Sequence, residues 1–195
     1  MKKAEQTRFN ILQKSFELIY IKGYQSTSID DILSSMEVTK GAFFYHFKNK
    51  EDMGLALITD FLYPRMKDFL IDPLNSVSDP IKGIYQMTAN LLKDTVHFDV
   101  KYGCPAVNLI EEMSPLNTAF HKQLKDMTME WANAIEKCLI RGKENGKVNQ
   151  TINPADAANY IVSGYAGARN MGKMLGTAFY QTYLRQFKIY LHGLS

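Results

Sequence analysis

The chain is predicted to be all-α, with about nine helices, and three observations lead to that class. Apolar residues return at steps of three and four along most of the 195 residues. No strictly alternating run extends beyond a few residues, so no strand of useful length is expected. Capping residues and helix-stopping Gly or Pro punctuate the apolar stripes at helical lengths. An apolar fraction of 46% excludes disorder as the main state and suits one core or two small ones.

In chain order, Phe9, Leu12, Phe16 and Ile19 form the first stripe, ended by Gly23 as the residue after the helix. Ser28 precedes Ile29, Ile32, Leu33 and Met36, and Asp31 completes a variant capping box, which predicts a helix over 29–35. After a break at Met36, Glu37 and Val38, Thr39 caps a second short helix carrying Lys40, Gly41, Ala42, Phe43, Phe44 and Tyr45. Asn49 caps a third, long helix with Leu55, Ile58, Leu62 and Phe69 on one side, and Pro64 predicts a kink or early end near Phe61. Residues 71–79 read as a loop. Asp79 and Pro80 open a helix with Ile84, Met87, Leu91 and Leu92 inward, fading after Val96. Gly103 and Pro105 start another that runs to about Met113, and Ser114 and Pro115 are expected to start the next. That one carries Phe120, Leu124, Met127, Trp131, Ile135 and Cys138 and stops near Asn145 and Gly146. Asn153 and Pro154 cap a helix to about Lys173, and Thr177 to Leu191 form the last.

Two short helices joined by a tight turn make a helix-turn-helix, whose second helix is shaped for the DNA major groove. With Val38, Ala42 and Phe43 inward, the outward edge is Lys40, Gly41, Phe44 and Tyr45, with His46 and Lys50 just beyond. Phe43 and Phe47 read as core; a helix this short cannot bury Phe44 and Tyr45 as well. The outward aromatics suit sugars and thymine methyls, Tyr45 and His46 suit phosphates, and Lys40 suits a guanine edge. With the caps Ser28 and Thr39, and with Thr27 just before the first of them, the candidate DNA-binding set is Thr27, Ser28, Thr39, Lys40, Gly41, Phe44, Tyr45, His46 and Lys50. Lys2, Lys3 and Arg8 read as a solvated terminus in preference to contacts on the DNA backbone.

Charge points to the same end of the chain. Residues 1–50 carry eight Lys or Arg against five Asp or Glu, and residues 51–195 carry fifteen of each, so the whole +3 excess lies in the helix-turn-helix segment. The opening MKKAEQTRFN has no apolar signal core and no run is long enough to span a membrane, so a cytoplasmic protein with no membrane partner is expected.

The stretch from Thr27 to Glu51 resembles the DNA-binding domain of TetR family transcriptional regulators. Thr27, Ile29, Ile32, Val38, Thr39, Gly41, Phe43, His46, Phe47, Lys50 and Glu51 match its pattern in one register. Met36 and Glu37 stand where the family usually has Ala and Gly, and Phe44 where it usually has Tyr. Further on, Gly103, Cys104, Asn108, Leu109 and Glu112 are similar to a stretch seen in some members. The resemblance implies a DNA-binding domain over 1–50 and a larger helical dimerisation and effector-binding domain over 51–195. It also implies a homodimeric repressor on a palindromic operator, released by a small, mostly apolar effector.

Candidate pocket residues are Met87, Met127, Trp131 and Tyr165, with Tyr102 and Asn108 as polar contacts; ordinary core is the competing reading for most of them. Cys104, between Gly103 and Pro105 at a helix start near Lys101, is a candidate for oxidant or electrophile sensing, against a small buried residue at a tight turn. Cys138 lies in an apolar stripe and reads as core, and both cysteines are expected as thiols. The dimer surface is expected in the last two helices, at Gly164, Gly167, Ala168, Met171, Tyr183 and Phe187, against packing within one chain. No cofactor, metal or catalytic residue is expected, because the four histidines lack metal spacing and no nucleophile elbow or phosphate loop occurs. Two rival readings remain: an enzyme pairing Cys104 with His97 or His121, and a helical interaction module without an operator.

Overall fold

In the computed structural model, which describes residues 2–195, nine helices form and no strand occurs among the described residues. They are α1 (Lys3–Lys22), α2 (Ile29–Ser34), α3 (Lys40–His46), α4 (residues 50–75), α5 (Pro80–Lys93), α6 (Pro105–Met113), α7 (Thr118–Glu144), α8 (Pro154–Leu175) and α9 (Thr177–His192). No helix among the described residues is long and apolar enough to cross a membrane.

Three boundaries differ from expectation, each for a local reason. Pro64 does not end its helix, but regular α geometry gives way around it: π-helical segments at Leu57–Leu62 and Lys67–Ile71 flank it, at the place where a kink or early end is expected. Helical structure therefore continues through Asp72–Asn75, shortening the expected 71–79 loop from its front. At the next junction Asn117, not Ser114 or Pro115, opens α7, its side chain accepting from the N–H groups of Ala119 and Phe120. Finally, α5 stops at Lys93 because the Asp94 side chain turns the chain by accepting from the Val96 and His97 N–H groups.

The chain divides into two compact units. The first contains residues up to Pro64 together with Pro105–Lys125; the second contains Arg65–Cys104 and Asp126–Ser195. Within the first, the α1 face of Ile11, Leu12 and Ile19 is buried in a core that also holds Ile32, Phe43, Phe47, Met53 and Leu57. The Phe9 and Phe16 rings lie 5.9 and 5.0 Å from the Phe61 ring and tie α1 to α4. Gly54 lets Tyr24 and Phe120 close on the α4 backbone, since a Cβ there would lie 2.6 Å from each ring. Within the second, Ile84, Leu92, Ile135, Leu139, Ile161, Leu184 and Leu191 form a core shared by α5, α7, α8 and α9.

Candidate DNA interface and effector-side residues

The local order of the helix-turn-helix follows from its caps. The Ser28 hydroxyl accepts from the Asp31 N–H at 3.0 Å, and the Asp31 carboxylate accepts from the Ser28 N–H at 2.8 Å, closing the capping box. The Ser28 hydrogen bonds also hold the Asp31 carboxyl below its ordinary range. Thr39 accepts from the Ala42 N–H at 3.2 Å and starts α3. No residue other than glycine has positive φ among the described residues, so Glu37 fits the turn in an ordinary conformation and carries no left-handed strain.

That frame sorts the side chains of α3. Phe43 and Phe47 are sealed in the core with rings 5.6 Å apart, while Phe44 is 45% and Tyr45 77% exposed. Lys40 is exposed and its Nζ lies 3.4 Å from Asp30, a loose surface pair that water and salt weaken. Gly41 is exposed, and a Cβ built on it would meet only the Thr39 hydroxyl oxygen, at 3.9 Å, so nothing inside the chain requires a glycine there. Ser28 and Thr39 are exposed beside this edge, and His46 is half-buried, its ring edge-on to Tyr45.

Two members of the expected DNA set lie elsewhere. Thr27 is fully buried, its hydroxyl donating to the Gly23 carbonyl at 2.8 Å, so it shapes the entry to α2 and offers nothing to a duplex. Lys50 turns inward: its Nζ donates to the Gln25 carbonyl at 3.2 Å and sits 4.5 Å above the Tyr24 ring. Partial burial lowers the Lys50 pKa, against the opposing pull of Glu112 and Asp31. Arg8 is likewise occupied, pairing with Asp60 at 2.6 Å while its guanidinium covers Phe47.

Sequence reasoning missed the anchor of the 23–25 turn. Glu112, at the end of α6, accepts from the Tyr24 N–H at 2.8 Å and the Gln25 N–H at 2.7 Å, two groups that α1 leaves behind as it ends. Burial, then Glu51 and Glu112, push the Tyr24 phenol up to about 12. Spacing along the chain carries no sign of a bond between residues 88 positions apart. The only hint was Glu112 in the Gly-Cys stretch.

The effector-side candidates divide between the units. Asn108 belongs to the first, where with Phe16, Tyr20 and Glu112 it lines a cavity with room for about one water molecule. In the second, Met87, Met127, Trp131 and Tyr165 are buried, with Trp131 meeting Tyr165 edge-on at 5.2 Å. Tyr102 is half-buried, and the Lys101 Nζ lies over its ring at 5.3 Å. Cys104 is buried, with its side chain within hydrogen-bonding reach of the Tyr165 side chain. His97 meets the Asp94 carboxylate at 2.8 Å and His121 the Ser114 hydroxyl at 2.7 Å.

The dimer candidates also separate. Ala168 and Phe187 are buried within the chain, and Gly164 makes room for Tyr183, whose hydroxyl would lie 2.7 Å from an added Cβ. Gly167 and Met171 are exposed, continuous along α8 with the exposed Tyr160 and Met174. Ile189 is 66% exposed on α9.

Residues 11–57 match the family model of bacterial regulatory proteins, tetR family, and residues 80–187 match that of the tetracyclin repressor-like C-terminal domain. The chain is 24% identical over 161 residues to the HTH-type transcriptional repressor DhaR of Mycobacterium sp. (strain GP1), covering 83% of this chain and 79% of that one. It is 35% identical over 121 residues to an HTH-type transcriptional regulator in the lacX 3′ region of Lactococcus lactis, 62% of each protein. In fold it is similar to the crystal structure of a TetR family transcriptional regulator from Cytophaga hutchinsonii, with a TM-score of 0.89 at 19% identity over 100% of this chain and 98% of that one.

Proposed function

The chain belongs to the TetR family of transcriptional regulators, and from that premise we propose that this DNA-binding regulator acts in the cytoplasm as a homodimeric repressor on a palindromic operator. The observation that carries the reading is the open edge of α3. Lys40, Gly41, Phe44 and Tyr45 face water from a helix whose opposite face, Phe43 with Phe47 just beyond its end, is locked in the core. A short helix with a buried anchor and an exposed basic and aromatic edge is a rigid probe for the major groove. Ser28 and Thr39 stand beside it to meet phosphates, with His46 at the far end.

One such helix reads few bases, so two copies on half-sites about 34 to 36 Å apart, or a multiple of that, supply the affinity. The exposed apolar stripe of Tyr160, Gly167, Met171 and Met174 on α8, with Ile189 on α9, is the face we assign to the second copy. Binding of a small effector among the buried aromatic and Met side chains of the second unit, or covalent modification of Cys104, releases the operator by changing the spacing of the two reading heads. The effector must favour the released state by several kcal/mol.

The test is operator selection from random duplex followed by mobility shift. A palindrome is expected. Lys40→Ala and Tyr45→Ala are expected to weaken binding at least about tenfold, the scale of one good base or phosphate contact, with unchanged thermal stability and dimerisation. Unchanged affinity in both variants would remove α3 as the reading helix.

A further inference from the structure

Arg169 is fully buried in the second unit, and no carboxylate pairs with it among the described residues. A guanidinium keeps its charge at any pH a protein meets, and a buried charge without a counter-charge is strongly unfavourable. Its surroundings are generous but neutral. Nε donates to the Tyr165 hydroxyl at 3.0 Å and Nη2 to the Leu91 carbonyl. Aromatic faces complete the shell, with the Phe98 ring 4.7 Å from Cζ and the Tyr165 and Tyr180 rings each at 5.4 Å.

Two buried donors without acceptors adjoin members of this shell, one in ring contact with Tyr165 and one a helical turn from Leu91. The indole N–H of Trp131, whose ring abuts Tyr165, is buried and unpartnered. So is the hydroxyl of Thr88, one turn before Leu91 on α5. A fixed positive charge and spare N–H and O–H groups in an aromatic shell match the anionic head of a small organic acid, since a carboxylate supplies both the missing charge and the missing acceptors.

We propose that Arg169 is the seat of a small carboxylate ligand, which takes the guanidinium face now covered by Phe98, with Trp131 and Thr88 as further donors. Phe98 is the side chain able to yield, because it is half-buried and lies on the 94–104 connection outside any helix. As a cation–π partner it is a weaker match for a desolvated guanidinium than a carboxylate. The proposal rests on the effector-responsive reading above and narrows the ligand from mostly apolar to apolar with an anionic head.

The chain contains one tryptophan, Trp131, so its fluorescence reports this site alone. The full-length protein is titrated with benzoate and propionate, and in parallel with benzamide and propionamide, following fluorescence and thermal midpoint. The expected result is a saturable change and a raised midpoint with an acid and neither with its amide. Phe98→Ala, which uncovers the seat, is expected to bind the acid several-fold more tightly, and Arg169→Met at least about tenfold more weakly. If Arg169→Met does not fold, the acid against amide comparison in Phe98→Ala decides the matter without touching Arg169. Equal response to acid and amide, or no saturable response to either acid in both the unaltered chain and Phe98→Ala, overturns the proposal. Operator release, read separately, keeps the two readings apart. Acid binding without release leaves the seat and removes the effector coupling, whereas release by a neutral compound with no acid binding removes the seat alone.

Discussion

At the scale of single residues, the edge proposed to read DNA is distinguished by what its side chains are not asked to do. Lys40 and Tyr45 take part in no core contact, and the position of Gly41 has free space where a Cβ would stand. That space makes Gly41 a sharp discriminator between folding and binding. Replacing a helical glycine by alanine, where the backbone allows it, stabilises a protein by about 0.4 to 1 kcal/mol. Gly41→Ala is therefore expected to raise the thermal midpoint slightly while weakening operator binding, because the added methyl occupies the room through which a duplex approaches α3. Calorimetry beside a mobility shift checks both signs at once, and a variant with raised stability and undiminished binding would show that no close approach occurs there. Thr27 and Lys50 mark the opposite case. Both match a DNA-binding pattern by position, yet one bonds the Gly23 carbonyl from a buried site and the other crosses the Tyr24 ring to reach the Gln25 carbonyl.

At the scale of elements, Glu112 joins α6 to the end of α1. Its two carboxylate oxygens take one backbone N–H each from the 24–25 turn, which leads directly into the helix-turn-helix. Hydrogen bonds to a charged acceptor contribute about 1.5 to 3 kcal/mol each. Glu112→Gln keeps one acceptor oxygen and loses the other, so a loss of about 1 to 2 kcal/mol is expected after allowance for partial exposure. Denaturant unfolding gives the magnitude, and amide exchange that quickens at Tyr24 and Gln25 but not within α1 gives the location. Unaltered exchange at those two amides would mean that the carboxylate is not what holds the turn. Because α6 follows Cys104 and the 94–104 connection without a break, a change at Phe98 or Cys104 begins one helix length along the chain from this anchor.

At the scale of the whole molecule, the exposed stripe on α8 decides between a lone chain and a pair. Met174 is 74% and Tyr160 59% exposed, and Gly167 between them has no neighbour in its own chain near a built Cβ. Single exposed hydrophobes are ordinary, and an aligned row of them is the face assigned above to the proposed second copy. Met171→Glu combined with Met174→Glu is expected to give a monomer in sedimentation equilibrium, with stability of the separate chain within about 0.5 kcal/mol and operator affinity greatly reduced. A dimer that survives both charges would move the interface off α8.

Local chemistry made much of this protein readable in advance. The caps at Ser28, Thr39, Asn49, Asp79 and Asn153 each accept from the first turn of the helix they open, and such bonds depend only on residues two or three positions apart. The three- and four-residue apolar spacing set the helices, and the charge excess marked the reading segment, for the same reason. Only the tertiary structure decided what long-range packing controls: that Pro64 is carried between two π-helical segments, that Glu112 reaches back to Tyr24, that Lys50 faces inward, and that a cation at position 169 is enclosed by Phe98, Tyr165 and Tyr180. A side chain's neighbours across tens of residues follow from how the helices close on one another, and helical periodicity does not encode that closure.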